Sequence, residues 1–393
     1  MVVLERLWTK PFILLTVSML LLYTGFYSML PVLPVHLKNI GAQQWQIGII
    51  VGLFTLSAVI CRPFVGKWLD RYGRKLYIYG GIIFFSLFSL SYSFVSVLAV
   101  VVGIRMLHGV SWGIGNTALG TAITDHIPRK KLGQGMGWYG LSMTLAMALG
   151  PLLGNYMMGQ YSAMIAFVGA SIVTTVPLLL IYQLHIDGKL RVDGALSFGK
   201  RKLAPIQWSR QLWMNLIVIS CLAFSFGGIT TYVPLYLGQQ LSNVTIFFLM
   251  YALSLSICRP LVGKWIDRKG EKLIIIVSLA FVMVALVLLS AASGVSGIIG
   301  SAVLYGLGFG MGQPALQVAI MRLVSVERSG GANAIFFTAF DIGIGSGAII
   351  LGFCANQWSY SSLFVISSAV VMLGLIVYLA SSGKGKVRGK SII

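Results

Sequence analysis

The chain has 393 residues, 57% of them apolar and only 10% charged, with a formal net charge of +20. Its mean hydropathy is +0.89. A soluble globular domain carries about 25% charged residues, so this composition excludes a soluble fold and leaves a polytopic membrane protein.

A spanning helix needs about 20 mostly apolar residues. Runs of that kind centre on 11–34, 46–65, 76–96, 98–121, 135–158 and 162–183. After a polar stretch at 185–210 they resume at 212–237, 243–263, 273–293, 296–320, 332–354 and 361–381. The reading is an all-α polytopic membrane protein with twelve transmembrane helices. Its units are 1–184 and 211–383, joined by a linker at 185–210 and followed by a basic tail at 384–393. No small-residue cleavage site follows the first apolar run, so that helix is expected to be retained. Cys61, Cys221, Cys258 and Cys354 lie in or at the ends of apolar runs, without metal-ligand or disulfide spacing. They are expected to be packing residues, and no metal site is expected.

One charged stretch occurs twice. Residues 61–75 read CRPFVGKWLDRYGRK and residues 258–272 read CRPLVGKWIDRKGEK, eleven of fifteen positions being identical at an offset of 197. That offset is half the chain, so the polypeptide is two copies of one unit. Each copy sits between two apolar runs, which places it in a short loop at a membrane face. Gly66 and Gly263 allow close backbone approach, and Gly73 and Gly270 allow the positive φ of a sharp turn. Asp70 and Asp267 can accept backbone N–H bonds at a neighbouring helix start, for Asp70 the start of helix 11 near Gly330–Gly331.

Basic residues set orientation in membrane proteins. Alternate loops, the linker and both ends hold 25 of the 29, whereas the opposite loops hold only Lys38. Both termini and the linker are therefore expected in the cytoplasm, and the positive charge reads as a topology signal, with no nucleic acid as partner. Arg62, Arg105 and Arg259 remain. Arg62 and Arg259 lie about a turn before the repeated loops, where a long side chain can snorkel to the interface. Arg105 lies about two turns into helix 4 from its far end, and Asp341 is the one acid deep in an apolar run.

The motif GKWLDRYGRK resembles the loop 2–3 signature of the major facilitator superfamily, and its second copy sits where that family's loop 8–9 copy belongs. VGIRMLHG at 102–109 resembles the helix 4 pattern of the superfamily's drug/proton antiporters, with His108 where glutamine is usual. Gly137, then Gly150-Pro151-x-x-Gly154-Asn155, is similar to the antiporter signature of helix 5, with Ala146 and Asn155 in place of glycines. Helix 1 ends Pro31-Val32-Leu33-Pro34, as in twelve-helix drug exporters. The resemblance implies two pseudo-symmetric six-helix bundles, with helices 1, 4, 7, 10, 2, 5, 8 and 11 lining a central cavity between them. It makes Gly66, Asp70, Arg71, Gly73, Arg74, Gly263, Asp267 and Gly270 a conformational gate. Gly137, Gly150, Pro151 and Gly154 become a tightly packed antiporter seam; a kinked helix with a glycine face is the plainer reading.

Ionisable residues inside a bilayer usually mark a pathway or relay. Asp341, about 15 Å from the helix end at 1.5 Å per residue, is expected near mid-depth and is the candidate proton carrier. Arg105 is its expected partner, and His108 a further coupling candidate. Antiporters of the resembled type often carry their acid in helix 1, which has none here. Arg105, His108, Trp112 and Asn116 share a helix face; adding 197 gives Ala302, Tyr305, Phe309 and Gln313. The candidate substrate cavity comprises Tyr27, Trp112, Asn116, Tyr251, Phe309, Gln313, Gln317 and Phe340, with Tyr23, Phe26 and Phe336 as further aromatic lining. The expected function is proton-coupled efflux of a small amphipathic or cationic compound, by a monomer in the cell membrane. A proton gradient serves in place of any cofactor. Alternatives are export of a polar metabolite or metallophore held by Arg105, His108, Asn116, Gln313 and Gln317, or a non-transporting membrane sensor. No nucleophile–base constellation points to an enzyme.

Overall fold

The structure is a computed structural model, and it describes residues 6–42, 44–184, 205–237, 241–292 and 294–382. The tail at 384–393 and nearly all of the linker therefore lie outside the described residues. Among the described residues twelve α-helices run in chain order: α1 Lys10–Asn39, α2 Gln44–Tyr72, α3 Lys75–Ser91, α4 Leu98–Asp125, α5 Leu132–Gln160, α6 Ala163–Tyr182, α7 Arg210–Tyr236, α8 Leu241–Lys269, α9 Glu271–Ser290, α10 Val295–Leu323, α11 Ser329–Gln357 and α12 Tyr360–Ser382. Eleven are long and apolar enough to cross a membrane; α3 is equally apolar but has 17 residues.

Local chemistry sets where they start and turn. Thr9, Ser162 and Ser209 cap α1, α6 and α7 by accepting backbone N–H bonds from Phe12, Ile165 and Leu212. Gly73 and Gly270, at φ +89° and +78°, make the sharp turns into α3 and α9. Outward-facing side chains such as Ile60, Phe64, Leu76 and Leu179 are at least half exposed and apolar, as a surface solvated by lipid requires.

The helices form two bundles, α1–α6 and α7–α12. Within the first, α1 packs on α5 and α6, α4 on α2 and α3; within the second, α7 packs on α11 and α12, α10 on α8 and α9. The repeat is exact enough to place the same contacts in each. A Cβ on Gly109 of α4 would lie 2.2 Å from the Phe54 carbonyl oxygen of α2. A Cβ on its counterpart Gly306 of α10 would lie 2.6 Å from the carbonyl oxygen of Tyr251 in α8. Lipid supplies no hydrophobic drive between helices, so close approach at small residues carries the packing.

The bundles meet where α2 lies against α11 and α5 against α8. These are again equivalent contacts: Gly66 faces Gly330, Gly331 and Ala334, and Gly263 faces Gly133 and Gln134. The end of the molecule that carries these loops is the loop face below.

Replacing Gly109 with Val should push α4 off α2 and destabilise the purified protein by about 1–3 kcal/mol. Gly52→Val, where an added Cβ meets nothing within 4 Å, is the control. Melting temperatures in detergent check this; equal values for the two variants would overturn the close-crossing account.

Candidate functional site

At mid-depth, among the described residues, a single ion pair joins the bundles. Arg62 Nη2 of α2 lies 2.8 Å from Asp341 Oδ2 of α11, with side-chain exposures of 1% and 16%. The Arg62 guanidinium also lies 4.9 Å from the centre of the Phe337 ring, one turn before Asp341. This corrects two expectations. Arg62 does not snorkel, because α2 runs unbroken to Tyr72; ten further residues put Arg62 about 15 Å from that helix end. Asp341, twelve residues into α11, lies about 18 Å from the same face. Arg105 is not its partner. It lies twenty residues, about 30 Å, from the loop-face end of α4, with its guanidinium 4.4 Å from the Phe54 ring. The helices are longer than a minimal span, so a position about two turns in from the far end of α4 does not reach the level of Asp341.

Arg259 is the equivalent of Arg62 in the second half and is equally buried, at 3%; the interface position expected for it is likewise corrected. Its Nη2 donates to Gln313 Oε1 at 2.5 Å. Gln313 is thus held by Arg259.

Nearer the loop face, two carboxylates each cap a helix of the opposite bundle. Asp70 accepts from the N–H groups of Gly330 at 2.9 Å and Gly331 at 3.2 Å, at the start of α11, with Arg328 Nη1 3.8 Å away. Asp267 accepts from Gly133 at 2.7 Å and Gln134 at 2.8 Å, at the start of α5. A helix N-terminus carries a partial positive charge, so both contacts are favourable. Arg74 extends the first: it donates to Asp125 and to the Leu69 carbonyl, and reaches Ser329 across the bundle interface at 3.0 Å. Ser329 in turn donates to Asp125 at 2.6 Å. In the second half the equivalent pair is Glu271 and Arg322, bonded with polarity reversed, and it stays within one bundle. Arg71 is not brought to this contact; it is exposed and lies over the ring of Tyr72.

Between latch and ion pair runs a polar relay that sequence reasoning missed: Gln317 donates to Asn333 Oδ1, whose Nδ2 donates to Thr124 Oγ1 of the other bundle. A signal was present for Asp125 and Arg322, since they stand 197 apart with opposite charges. Asn333 offered none, because its partners come from different helices.

The remaining candidates fall in separate places. His108 faces α3, with Nε2 3.3 Å from Ser89 Oγ and Nδ1 3.3 Å from Tyr92 Oη. With Arg105 it lines a small cleft bordered by Phe26, Met29, Leu30, Leu33 and Val51, so it is not brought to Asp341. Trp112 stacks on Phe26 at 4.4 Å and meets Tyr23 edge-on, a packed aromatic cluster inside the first bundle. Asn116, one turn further, is buried with its Oδ1 unpartnered. In the second bundle Phe309 stacks on Phe226 and approaches Tyr251's neighbour Tyr305 and Phe340. Phe336 is fully buried. Gly150 and Gly154 of α5 pack on α1 at Thr24, Tyr27 and Ser28, whereas Gly137 packs on the Arg259 carbonyl of α8. The glycines therefore serve two contacts, one within a bundle and one between bundles, and Pro151 lies inside α5.

Asp70→Asn should cut transport by more than tenfold while insertion and expression persist, and Asp267→Asn should cost less. The first latch alone is reinforced across the interface, by Arg74 on Ser329. Flux in reconstituted vesicles checks the order; near-wild-type flux in Asp70→Asn would overturn the latch.

Comparison with known proteins follows the whole chain. A family model described as the Major Facilitator Superfamily matches residues 15–249 and 241–391. An uncharacterised MFS-type transporter of Methanocaldococcus jannaschii is 24% identical over 91% of this chain and 94% of its own. The quinolone resistance protein NorA of Staphylococcus aureus is 24% identical over 94% of this chain and 96% of its own. Among solved structures, the human organic anion transporter MFSD10 superposes with a TM-score of 0.82 at 18% identity, covering 94% of this chain and 99% of that one. A bacterial homologue of the iron transporter ferroportin, in an outward-facing state, gives 0.74 at 16% identity, covering 96% and 99%.

Proposed function

Because this chain belongs to the major facilitator superfamily, a family of transporters, we propose that it is a proton-coupled exporter of small amphipathic compounds that works by alternating access. The observation that carries this reading is the Arg62–Asp341 pair, which ties the two bundles together at mid-depth. Ionised, Asp341 holds Arg62 and keeps α2 against α11. Protonated, it loses the ion pair, and the bundles can part on the loop face. Breaking a buried pair by removing one charge costs about 3–5 kcal/mol. That is comparable with the roughly 5.5 kcal/mol needed to invert a 1:99 equilibrium, so one proton can supply most of the bias for the switch.

The loop face is cytoplasmic on the placement of its basic residues, and the membrane is the cell membrane. Export is supported by the glycine–proline pattern of α5 and by the likeness to a drug-resistance protein. At mid-depth the interface carries two buried guanidinium groups, Arg62 and Arg259, against one carboxylate, Asp341. That balance disfavours a simple cation as cargo and favours an amphipathic compound with an acceptor-bearing head. Aromatic side chains at Tyr27, Tyr251 and Phe309 suit its apolar body.

In vesicles with an imposed pH gradient, wild-type protein should accumulate members of an amphipathic dye panel. Asp341→Asn should abolish gradient-driven accumulation and leave exchange of the same dye at equal pH. Full gradient-driven accumulation in Asp341→Asn would make this carboxyl structural and overturn the coupling assignment.

A further inference from the structure

The two halves are copies, and one place where the copy fails at mid-depth is informative. Arg62 faces Phe337 and Asp341 of α11. Subtracting 197 from those two positions gives Gly140 and Thr144 of α5, and Arg259 does lie against Gly140, its Nη1 2.7 Å from where a Cβ would be. So Arg259 meets the equivalent surface of the opposite bundle, but a threonine stands where its carboxylate belongs. None of the ion pairs among the described residues includes Arg259, and its Nε and Nη1 have no hydrogen-bond partner. Asp341 is the one acid inside an apolar run, and it is taken by Arg62.

An unpaired guanidinium in a low-dielectric interior is costly to keep. Its surroundings add donors and no anion. Tyr251, Tyr27, Cys258 and Tyr139 are its electrostatic neighbours, and the hydroxyls of Tyr139 and Tyr251 are themselves buried and unpartnered. Beside them lies an apolar wall, with Phe226 stacked on Phe309 at 4.8 Å and Tyr251 6.5 Å from Phe226.

We propose that Arg259 is an anion-docking residue, and that the compounds carried bear a carboxylate that becomes the counter-ion this half of the protein lacks. The proposal deepens the transport reading and rests on it. A guanidinium donates charge-assisted hydrogen bonds to carboxylate oxygens, and Nε and Nη1, on different edges of the group, are the atoms left to make them. The tyrosine hydroxyls can donate to the same oxygens, and the aromatic wall takes the apolar body. Because Arg259 lies between α8 and α5, the rocking that parts these helices uncovers it, and a bound carboxylate replaces its contact with the opposite bundle.

The test uses purified full-length protein at equal pH without a gradient. The probes are naphthylacetate and its uncharged carboxamide, which differ only in the head group, with binding read by calorimetry. Wild-type protein should prefer the carboxylate by about tenfold or more, the gain of a charge-assisted over a neutral hydrogen bond. Arg259→Gln should bring the ratio close to one, and Arg259→Lys should retain part of it. Thr144→Asp, which supplies an internal carboxylate at the position equivalent to Asp341, should also bring the ratio close to one. It keeps the test decisive if Arg259→Gln does not fold. Equal binding of the two probes by wild-type protein, or an undiminished ratio in Thr144→Asp, overturns the proposal. A ratio of one alongside loss of gradient-driven flux in Asp341→Asn removes the docking residue alone. A preserved ratio with unaffected flux in Asp341→Asn removes the coupling assignment alone.

Discussion

Hydrocarbon cannot solvate a charge, so an ionised group within it must be paired, neutralised or given work to do. Inside the span, three buried arginines, Arg62, Arg105 and Arg259, and one aspartate, Asp341, are set against that constraint. Arg62 and Asp341 answer it by finding each other across the bundle interface, and the cost of separating them is what the proposed proton switch draws on. Arg105 answers it with an aromatic face, 4.4 Å from Phe54. Arg259 has only a neutral amide, Gln313, and that difference from Arg62 is what draws a ligand's charge into the account.

The loop face is governed by a different balance. There the partners are helix ends, whose partial charges are fixed by the backbone. Asp70 on α11 and Asp267 on α5 are the same contact made twice. Around them the side-chain pairs have diverged: Arg74 with Asp125 in one half, Glu271 with Arg322 in the other. Reversing both members keeps an attraction while changing its reach, because Arg74 also bonds Ser329 of the other bundle. A duplicated unit can thus hold its architecture and still become functionally lopsided.

Glycines do the mechanical work. Those at Gly109 and Gly306 lock helices within each bundle, and those at Gly66 and Gly263 let the bundles touch backbone to backbone. Among the described residues the interbundle contacts involve small residues, helix ends, a few side-chain hydrogen bonds and two ion pairs. Such surfaces separate without exposing a large interdigitated core, as an alternating cycle demands.

Much was determined by sequence alone. Twelve apolar runs, their division at 185–210 and the offset of 197 specify helices, halves and pseudo-symmetry, because a bilayer admits only elements that satisfy their own backbone. The contact of Asp70 with the start of α11 was legible too, since motif and dipole argue to the same place. Tertiary structure decided who pairs with whom. Asp341 went to Arg62 because uninterrupted helices carry both to one depth on facing surfaces, whereas counting from apolar run ends set Arg62 too shallow and Arg105 too near. Partners such as Asn333 with Thr124 come from helices distant in the chain, and periodicity along one helix carries no information about which face of another it will meet.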